Sequence, residues 1–161
     1  MTDPGKGVLL DFGQAFRKAA DYCIPQDRCI SEMRLRLKLW NIGSGHIDAI
    51  IAKLIEENFL NEKRFAESYS LGKFRINGWG KLKIAAGLRA RSIPPELILQ
   101  SLTLIGRDEY MSFLEKLLNK KLSQLGGNTL QNRQKAAFFA ASRGFEPGII
   151  KEVLNESSLF E

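Results

Sequence analysis

One apolar pattern recurs three times along the chain, and this recurrence restricts the folds that are open to it. Five apolar positions return after 51 residues and again after a further 52. They are Met33, Leu37, Ile42, Ile47 and Ile51 in the first copy, Ile84, Leu88, Ile93, Ile98 and Leu102 in the second, and Ala136, Ala140, Phe145, Ile150 and Leu154 in the third. Pro95 and Pro147 coincide in the same register. Self-similarity at a fixed period indicates tandem copies of one supersecondary unit.

Each copy has the spacing of three helices. Apolar residues return at steps of three and four, and proline or glycine interrupts the steps at Pro25, Gly43 and Gly78. We expect Ser44 to be the N-cap of the helix after Gly43. No run of alternating Val, Ile and Thr favours a sheet. The predicted fold is all-α, with three tandem three-helix repeats forming an elongated, curved array. The predicted boundaries are a flexible N-terminal arm at 1–11, repeat 1 at 12–60, repeat 2 at 61–105 and repeat 3 at 106–161.

The charge balance favours a polyanionic partner. The 161 residues include 24 Lys and Arg against 18 Asp and Glu, which gives a net charge of +6. Nucleic acid or a nucleoprotein is the partner that such a balance suggests. No apolar run approaches the roughly 20 residues of a membrane-spanning helix, and the start MTDPGKGVLLDFG lacks the pattern of a signal peptide. We therefore expect a cytoplasmic protein without a membrane partner. As a separate expectation, we take the protein to be a monomer.

The sequence offers little that looks catalytic. His46, the single histidine, lies among glycines in a turn, where a capping or surface role is expected. Cys23 and Cys29 have too few Cys or His neighbours for a zinc site, so buried thiols are predicted. The segment from Gly78 to Lys81 is too short for a phosphate-binding loop. We predict a protein that is not an enzyme and has no cofactor or metal.

Basic side chains are the stronger candidates for a site. Between Ser68 and Pro95 there is no Asp or Glu, although six Lys and Arg lie in that span. Mixed charge is typical of a neutral surface, so the span favours a partner or DNA contact, with simple solvation of the helices as the alternative. The candidate residues are Arg34, Arg36, Lys38, Arg64, Lys73, Arg75, Lys81, Lys83, Arg89 and Arg91. Because Arg grips phosphates and carboxylates bidentately, Arg75, Arg89 and Arg91 are preferred.

Some apolar residues lie off the core stripe of their helix. Leu35 and Leu39 point away from Met33 and Leu37, and we expect them to pack on an adjacent unit; an exposed patch for a partner protein is the alternative. Trp40 and Trp79 are expected to be core or interface rings.

Three segments of the sequence resemble a known family. The segment FLNEKRFAESY at residues 59–69 is similar to the most recognisable stretch of the RecX regulatory proteins, and WGKLKI at residues 79–84 is similar to the next family block. Ser31-Glu32-Met33 with Leu37 follows the pattern of the first unit. Of the matched positions, Arg64 is a candidate contact, whereas Phe65 and Tyr69 are expected to pack in the core.

The resemblance implies a function and a partner. Proteins of this family are bacterial, cytoplasmic and all-helical, bind the RecA recombinase filament on single-stranded DNA, and inhibit its ATP hydrolysis and strand exchange. The expected partners are therefore the RecA filament and single-stranded DNA, contacted directly or through the filament. No catalytic set is implied. A helix-turn-helix-like protein that binds duplex DNA without a recombinase and a protein-only adaptor remain as alternatives.

Overall fold

The computed structural model describes residues 9–155, in which every regular element is an α-helix. The helices are α1 Phe12–Cys23, α2 Ile30–Leu39, α3 Ser44–Glu56, α4 Glu62–Arg75, α5 Lys81–Ala90, α6 Pro95–Leu102, α7 Arg107–Gln124, α8 Leu130–Ser142 and α9 Pro147–Leu154. The all-α prediction is confirmed. Residues 1–8 of the predicted arm and 156–161 of predicted repeat 3 lie outside the described residues.

Local signals explain several helix ends. The Asp11 side chain and Gln14 form a reciprocal capping box at the start of α1, and the Thr129 hydroxyl accepts the Asn132 N–H at the start of α8. The prediction that Ser44 caps α3 is wrong. Gly43 takes the extended N-cap conformation (φ −60°, ψ 141°), and its carbonyl accepts the N–H groups that follow, so Ser44 is the first helical residue.

The repeat register is confirmed by burial. All fifteen recurring apolar positions are buried except Leu102 and Leu154, which are half-buried. The third copy fills its positions with smaller residues, Ala136 and Ala140, and both are fully buried. A shift of one residue would turn this set toward solvent, so the register is set by the core.

The same left-handed turn recurs between the second and third helix of each copy. Asn41, Ser92 and Gly144 have φ values of 58°, 59° and 95°, and they follow one another at the 51- and 52-residue steps. A residue in this conformation just after a helix satisfies carbonyls of the last turn. After α2 the Ile42 N–H bonds to the Leu37 carbonyl at 3.0 Å, and after α8 the Phe145 N–H bonds to the Ala140 carbonyl at 3.2 Å.

The described residues form two compact units. Unit 1 holds residues 9–65 and 91–93, and unit 2 holds residues 66–90 and 94–155. Helix α3 packs on α1 and α2 in unit 1, and its buried Ile50 and Leu54 are central to that core. In unit 2, α7, α8 and α9 pack on one another, and α5 packs on α6. The core of unit 2 contains an aromatic group in which the Phe74 and Phe113 rings, and the Tyr110 and Phe145 rings, are each 5.2 Å apart.

The start of α5 is capped by distant parts of unit 2. The Gly80 N–H donates to the Arg143 carbonyl at 2.8 Å, and the Leu82 N–H donates to the Gly144 carbonyl at 2.9 Å. Between them, the Lys81 N–H donates to the Tyr110 hydroxyl at 3.0 Å. The first N–H groups of a helix have no acceptor within the helix. These three bonds provide the acceptors, which no capping side chain next to α5 provides.

The start of α2 in unit 1 is satisfied by analogous contacts. Ile30, one 51-residue step before Lys81, donates its N–H to the Glu62 carboxylate, and the Ser31 hydroxyl donates to the Arg91 carbonyl at 3.0 Å. Arg91 precedes Arg143 by 52 residues. The start of α2 therefore bonds to the Arg91 carbonyl of the second copy, and the start of α5 bonds to the equivalent Arg143 carbonyl of the third copy. Burial raises the pKa of the Glu62 carboxyl.

Candidate basic interface

Two lysines flank a half-buried tryptophan in the turn between α4 and α5. The Lys73 ammonium is 4.8 Å and the Lys83 ammonium 4.5 Å from the Trp79 ring centroid. The Tyr69 ring meets Trp79 edge-on at 6.5 Å, and Lys73 also lies 5.5 Å from the Tyr69 ring. We call Tyr69, Lys73, Trp79 and Lys83 the Trp79 cluster. Neither lysine forms an ion pair with a carboxylate among residues 9–155, so both ammonium groups are available to an anionic partner.

The backbone around the Trp79 cluster fixes its shape. Gly78 adopts a left-handed φ of 69°, which allows the chain to reverse directly after α4, and the Trp79 N–H then bonds to the Lys73 carbonyl at 3.0 Å. Tyr69 is held from the other side by α5, because a Cβ on Gly87 would lie 2.1 Å from the Tyr69 hydroxyl oxygen. Phe65 is buried as predicted, whereas Tyr69 is half-buried.

The other candidates of unit 2 differ in their surroundings. Arg75 forms a two-point ion pair with Glu109, with N–O distances of 3.0 and 3.3 Å. Hydrogen bonding to Arg75 holds the pKa of the Glu109 carboxyl below its usual value, and the same bond raises the pKa of Arg75. The Lys81 ammonium lies 4.8 Å from the Tyr110 ring centroid. Arg89 is exposed and makes no hydrogen bond or ion pair with any described residue.

In unit 1 most of the candidate arginines meet a carboxylate. The N–O distance is 2.6 Å from Arg34 to Asp48, 2.5 Å from Arg64 to Asp27 and 3.0 Å from Arg91 to Glu32. Arg64 also donates to the carbonyls of Asn58 and Phe59, so this matched family position ties the start of α4 to the preceding turn.

The remaining two candidates of unit 1 are Arg36 and Lys38. Arg36 donates to the Tyr22 hydroxyl at 3.1 Å and lies 4.9 Å from its ring. Lys38 is exposed, with no partner among residues 9–155.

Folding brings carboxylates from other segments next to the span between Ser68 and Pro95, although the span itself contains no Asp or Glu. Its arginines Arg75 and Arg91 find Glu109 and Glu32 from other parts of the chain. Among the described residues, no carboxylate lies within ion-pair distance of Lys73, Lys81, Lys83 or Arg89. The Arg75–Glu109 pair is exposed, and exposed ion pairs contribute little and exchange readily, so Arg75 remains accessible to a competing anion. The preference for arginine over lysine stays a prediction.

Leu35 and Leu39 do not pack on an adjacent unit. Their exposed fractions are 60% and 63%, so that prediction is wrong. Both lie on the face of α2 opposite the buried Met33 and Leu37.

The remaining side chains considered in the sequence are the two cysteines and the histidine. Within residues 9–155 no group of three His, Cys, Asp or Glu side chains is arranged to hold a metal ion. Cys23 and Cys29 are buried, as predicted, and burial raises the pKa of both thiols. His46 is exposed, with its ring against Phe12. Among the described helices, none has both the length and the apolar character needed to cross a bilayer.

A second span without acidic residues is not among the candidates predicted from the sequence. No Asp or Glu lies between Glu115 and Glu146, and this span also carries six Lys and Arg. It forms the end of α7 and all of α8. The same count of charges that singled out residues 68–95 would have found it.

These features define a class of protein: an all-helical chain of tandem three-helix domains with basic aromatic surfaces. The family models "RecX, second three-helix domain" and "RecX, third three-helix domain" match residues 61–102 and 108–154. The chain belongs to the RecX family.

Curated relatives carry the same family name. "Regulatory protein RecX" of Chlorobaculum tepidum is 30% identical over 132 residues, which cover 80% of this chain and 81% of that protein. "Regulatory protein RecX" of Bacillus velezensis is 29% identical over 153 residues, covering 91% of this chain but 56% of that protein. The chain thus spans little more than half of the Bacillus relative.

Solved structures show the same fold. The crystal structure of RecX from Lactobacillus salivarius is similar with a TM-score of 0.82 at 22% identity, covering 89% of this chain and 94% of that one. A second crystal structure, titled regulatory protein RecX, gives a TM-score of 0.78 at 21% identity.

Proposed function

We propose that this protein is a non-enzymatic regulator that binds the RecA recombinase filament on single-stranded DNA and inhibits its ATP hydrolysis and strand exchange. The relatives are named regulatory proteins, and the RecX resemblance supplies the recombinase as partner. One observation carries the proposal: a domain that matches the family holds four cations that form no ion pair with any carboxylate of residues 9–155, namely Lys73, Lys81, Lys83 and Arg89.

The inhibition follows from binding two states of the filament unequally. A ligand shifts an equilibrium only by its difference in affinity for the two states. Basic side chains spread along consecutive three-helix domains contact acidic protein surface or DNA phosphate at more than one protomer. Preference for the inactive arrangement then lowers both activities without any chemical step. The protein acts in the cytoplasm, as a monomer and without a cofactor.

The test is recombinase ATP hydrolysis on single-stranded DNA, with this protein titrated from far below to equimolar recombinase. Inhibition well below one-to-one supports a filament-directed regulator and excludes competition for free DNA. No effect at equimolar, folded protein contradicts the proposal. Sequence-selective duplex binding in the absence of recombinase would favour the helix-turn-helix alternative instead.

A matched pair of variants ties the activity to the proposed surface. Lys73→Gln, Lys83→Gln and Arg89→Gln together remove three charges from the α4–α5 surface. Arg17→Gln, Lys116→Gln and Lys135→Gln remove three exposed charges outside α4 and α5. The first variant should need at least about tenfold more protein for half-inhibition, a change equivalent to about 1.4 kcal/mol. An equal effect of both variants would assign the effect to net charge alone.

A further inference from the structure

A basic groove lies between α7 and α8 in unit 2. It encloses about 250 Å³ and is lined by Leu117, Lys120, Lys121, Gln124, Phe139 and Arg143. None of the lining residues is acidic, and the groove falls in the second span without Asp or Glu. The Phe139 ring is half-buried in its wall, with the Lys121 ammonium 4.5 Å and the Arg143 guanidinium carbon 5.2 Å from the ring centroid.

The three cations of this groove have spare hydrogen-bonding capacity. Lys120 is exposed and has no partner within the described part of the chain. Among the described residues, the Arg143 guanidinium makes one hydrogen bond, a long one from Nη1 to the Asn77 carbonyl at 3.5 Å. Since a guanidinium has five N–H donors, most of those of Arg143 remain for a ligand. A charged groove with unused donors is suited to an anion that offers several acceptor oxygens.

The apolar part of the groove narrows the choice of ligand. The Phe139 ring offers a flat apolar surface and Leu117 adds apolar contact beside it, which suits a planar base joined to phosphates. An acidic peptide would need partners for its backbone amides, and Gln124 is the one uncharged polar side chain in the lining. A volume of about 250 Å³ is below that of enclosed ligand sites, roughly 300 Å³ and upward, and matches a passing strand better than a captured molecule.

We infer that the α7–α8 groove binds single-stranded DNA directly, with phosphates on Lys120, Lys121 and Arg143 and an unpaired base against Phe139. This inference rests on the proposed function, because the choice of DNA as the ligand comes from the proposed binding to a recombinase filament on single-stranded DNA. It adds a contact in the third three-helix domain to the basic surface of the second. In duplex DNA the faces of the bases are already stacked on one another, so a duplex offers this groove only its phosphates.

The experiment measures the binding of labelled oligothymidine to the full chain by fluorescence anisotropy at several salt concentrations. Lys120→Gln/Lys121→Gln is compared with Lys116→Gln/Lys135→Gln, which removes the same charge outside the groove lining. The groove variant should raise Kd at least tenfold and reduce the slope of log Kd against log salt by about 1.4, as two lost phosphate contacts require. The control should change Kd less than twofold. Equal weakening in both variants would overturn the inference.

A second variant separates stacking from charge. Phe139→Leu keeps an apolar side chain and the net charge, and it should raise Kd about fivefold or more without changing the salt slope. An unchanged Kd, or displacement of the oligonucleotide by a poly-glutamate peptide as effectively as by unlabelled oligothymidine, would contradict a DNA strand in the groove. Recombinase inhibition is measured separately on the same proteins. If wild-type inhibition persists while the groove variant binds DNA normally, this inference fails and the proposed function stands.

Discussion

Gly80 and Gly144 meet backbone to backbone. A Cβ on Gly80 would lie 2.3 Å from the Gly144 carbonyl carbon, and a Cβ on Gly144 would lie 2.3 Å from the Lys83 Cβ. The equivalents of Gly144 in the other copies, Asn41 and Ser92, adopt the same left-handed conformation with a side chain. Position 144 therefore requires glycine mainly because Lys83 approaches it closely, since the positive φ alone is tolerated by Asn41 and Ser92.

Substituting either glycine should destabilise unit 2. Gly80→Ala forces backbone atoms apart at the start of α5, and overpacking of this kind costs about 1–3 kcal/mol, here at the upper end because no flexible side chain can move aside. Thermal and urea unfolding measure the change. Gly72→Ala in α4 is the control, since nothing lies within 4 Å of the added methyl, and it should be neutral or stabilising by up to about 1 kcal/mol. Equal stability of Gly80→Ala and wild type would contradict the contact.

The contact between Tyr69 and Gly87 predicts a rescue. Gly87→Ala places a methyl 2.1 Å from the Tyr69 hydroxyl, so the single substitution should lower stability and displace the ring beside Trp79. Tyr69→Phe removes that oxygen, and the double variant should recover at least half of the loss. A double-mutant cycle measures the coupling, and strictly additive effects would show that the two residues do not meet.

Tyr110 gives the fold a pH dependence at alkaline pH. Burial raises the pKa of its hydroxyl far above the usual range, and the hydrogen bond that it donates to Glu146 raises it further. The raised pKa means that the folded state retains the proton. The contribution to stability is complete below the unfolded pKa, about 10, and is lost as pH rises above it.

Tyr110→Phe measures this contribution. The variant leaves the Lys81 N–H and the Glu146 carboxylate without this partner, so it should lose about 1–3 kcal/mol at pH 7. The difference from wild type should shrink above pH 10 in unfolding experiments followed by circular dichroism. A constant difference from pH 7 to pH 11 would contradict the assigned hydrogen bonds.

The arginines preferred from the sequence allow a second functional test. Arg75→Gln, Arg89→Gln and Arg91→Gln together should weaken recombinase inhibition if these side chains leave Glu109 and Glu32 to bind the filament. Glu109→Gln frees Arg75 and serves as the opposite perturbation, with inhibition expected to be equal or stronger. Unchanged inhibition in the arginine variant would remove those residues from the interface and leave the lysines of the Trp79 cluster.

The helices and their register were predictable because they depend on local spacing. The recurrence from Met33 to Ile84 to Ala136 identified three buried positions at once. The charge partners were not predictable, since Arg75 meets Glu109 and Arg91 meets Glu32 only after folding brings distant segments together. The α7–α8 groove depends on the distance of Phe139 from Lys121, which no spacing along one helix determines. The prediction for Leu35 and Leu39 was wrong for the same reason, because the exposure of a side chain depends on which other segments of the folded chain pack against its helix face.

The capping of α5 also has a consequence in time. The start of α5 leaves the ribosome long before the residues that cap it. The Gly80 and Leu82 N–H groups bond to the carbonyls of Arg143 and Gly144, which are synthesised more than 60 residues later. At synthesis rates of roughly 5–20 residues per second, the beginning of α5 waits several seconds for its partners. A nascent chain arrested between α6 and α8 should therefore be cut by protease near Gly78. The second domain reaches its finished form only once the third has been made.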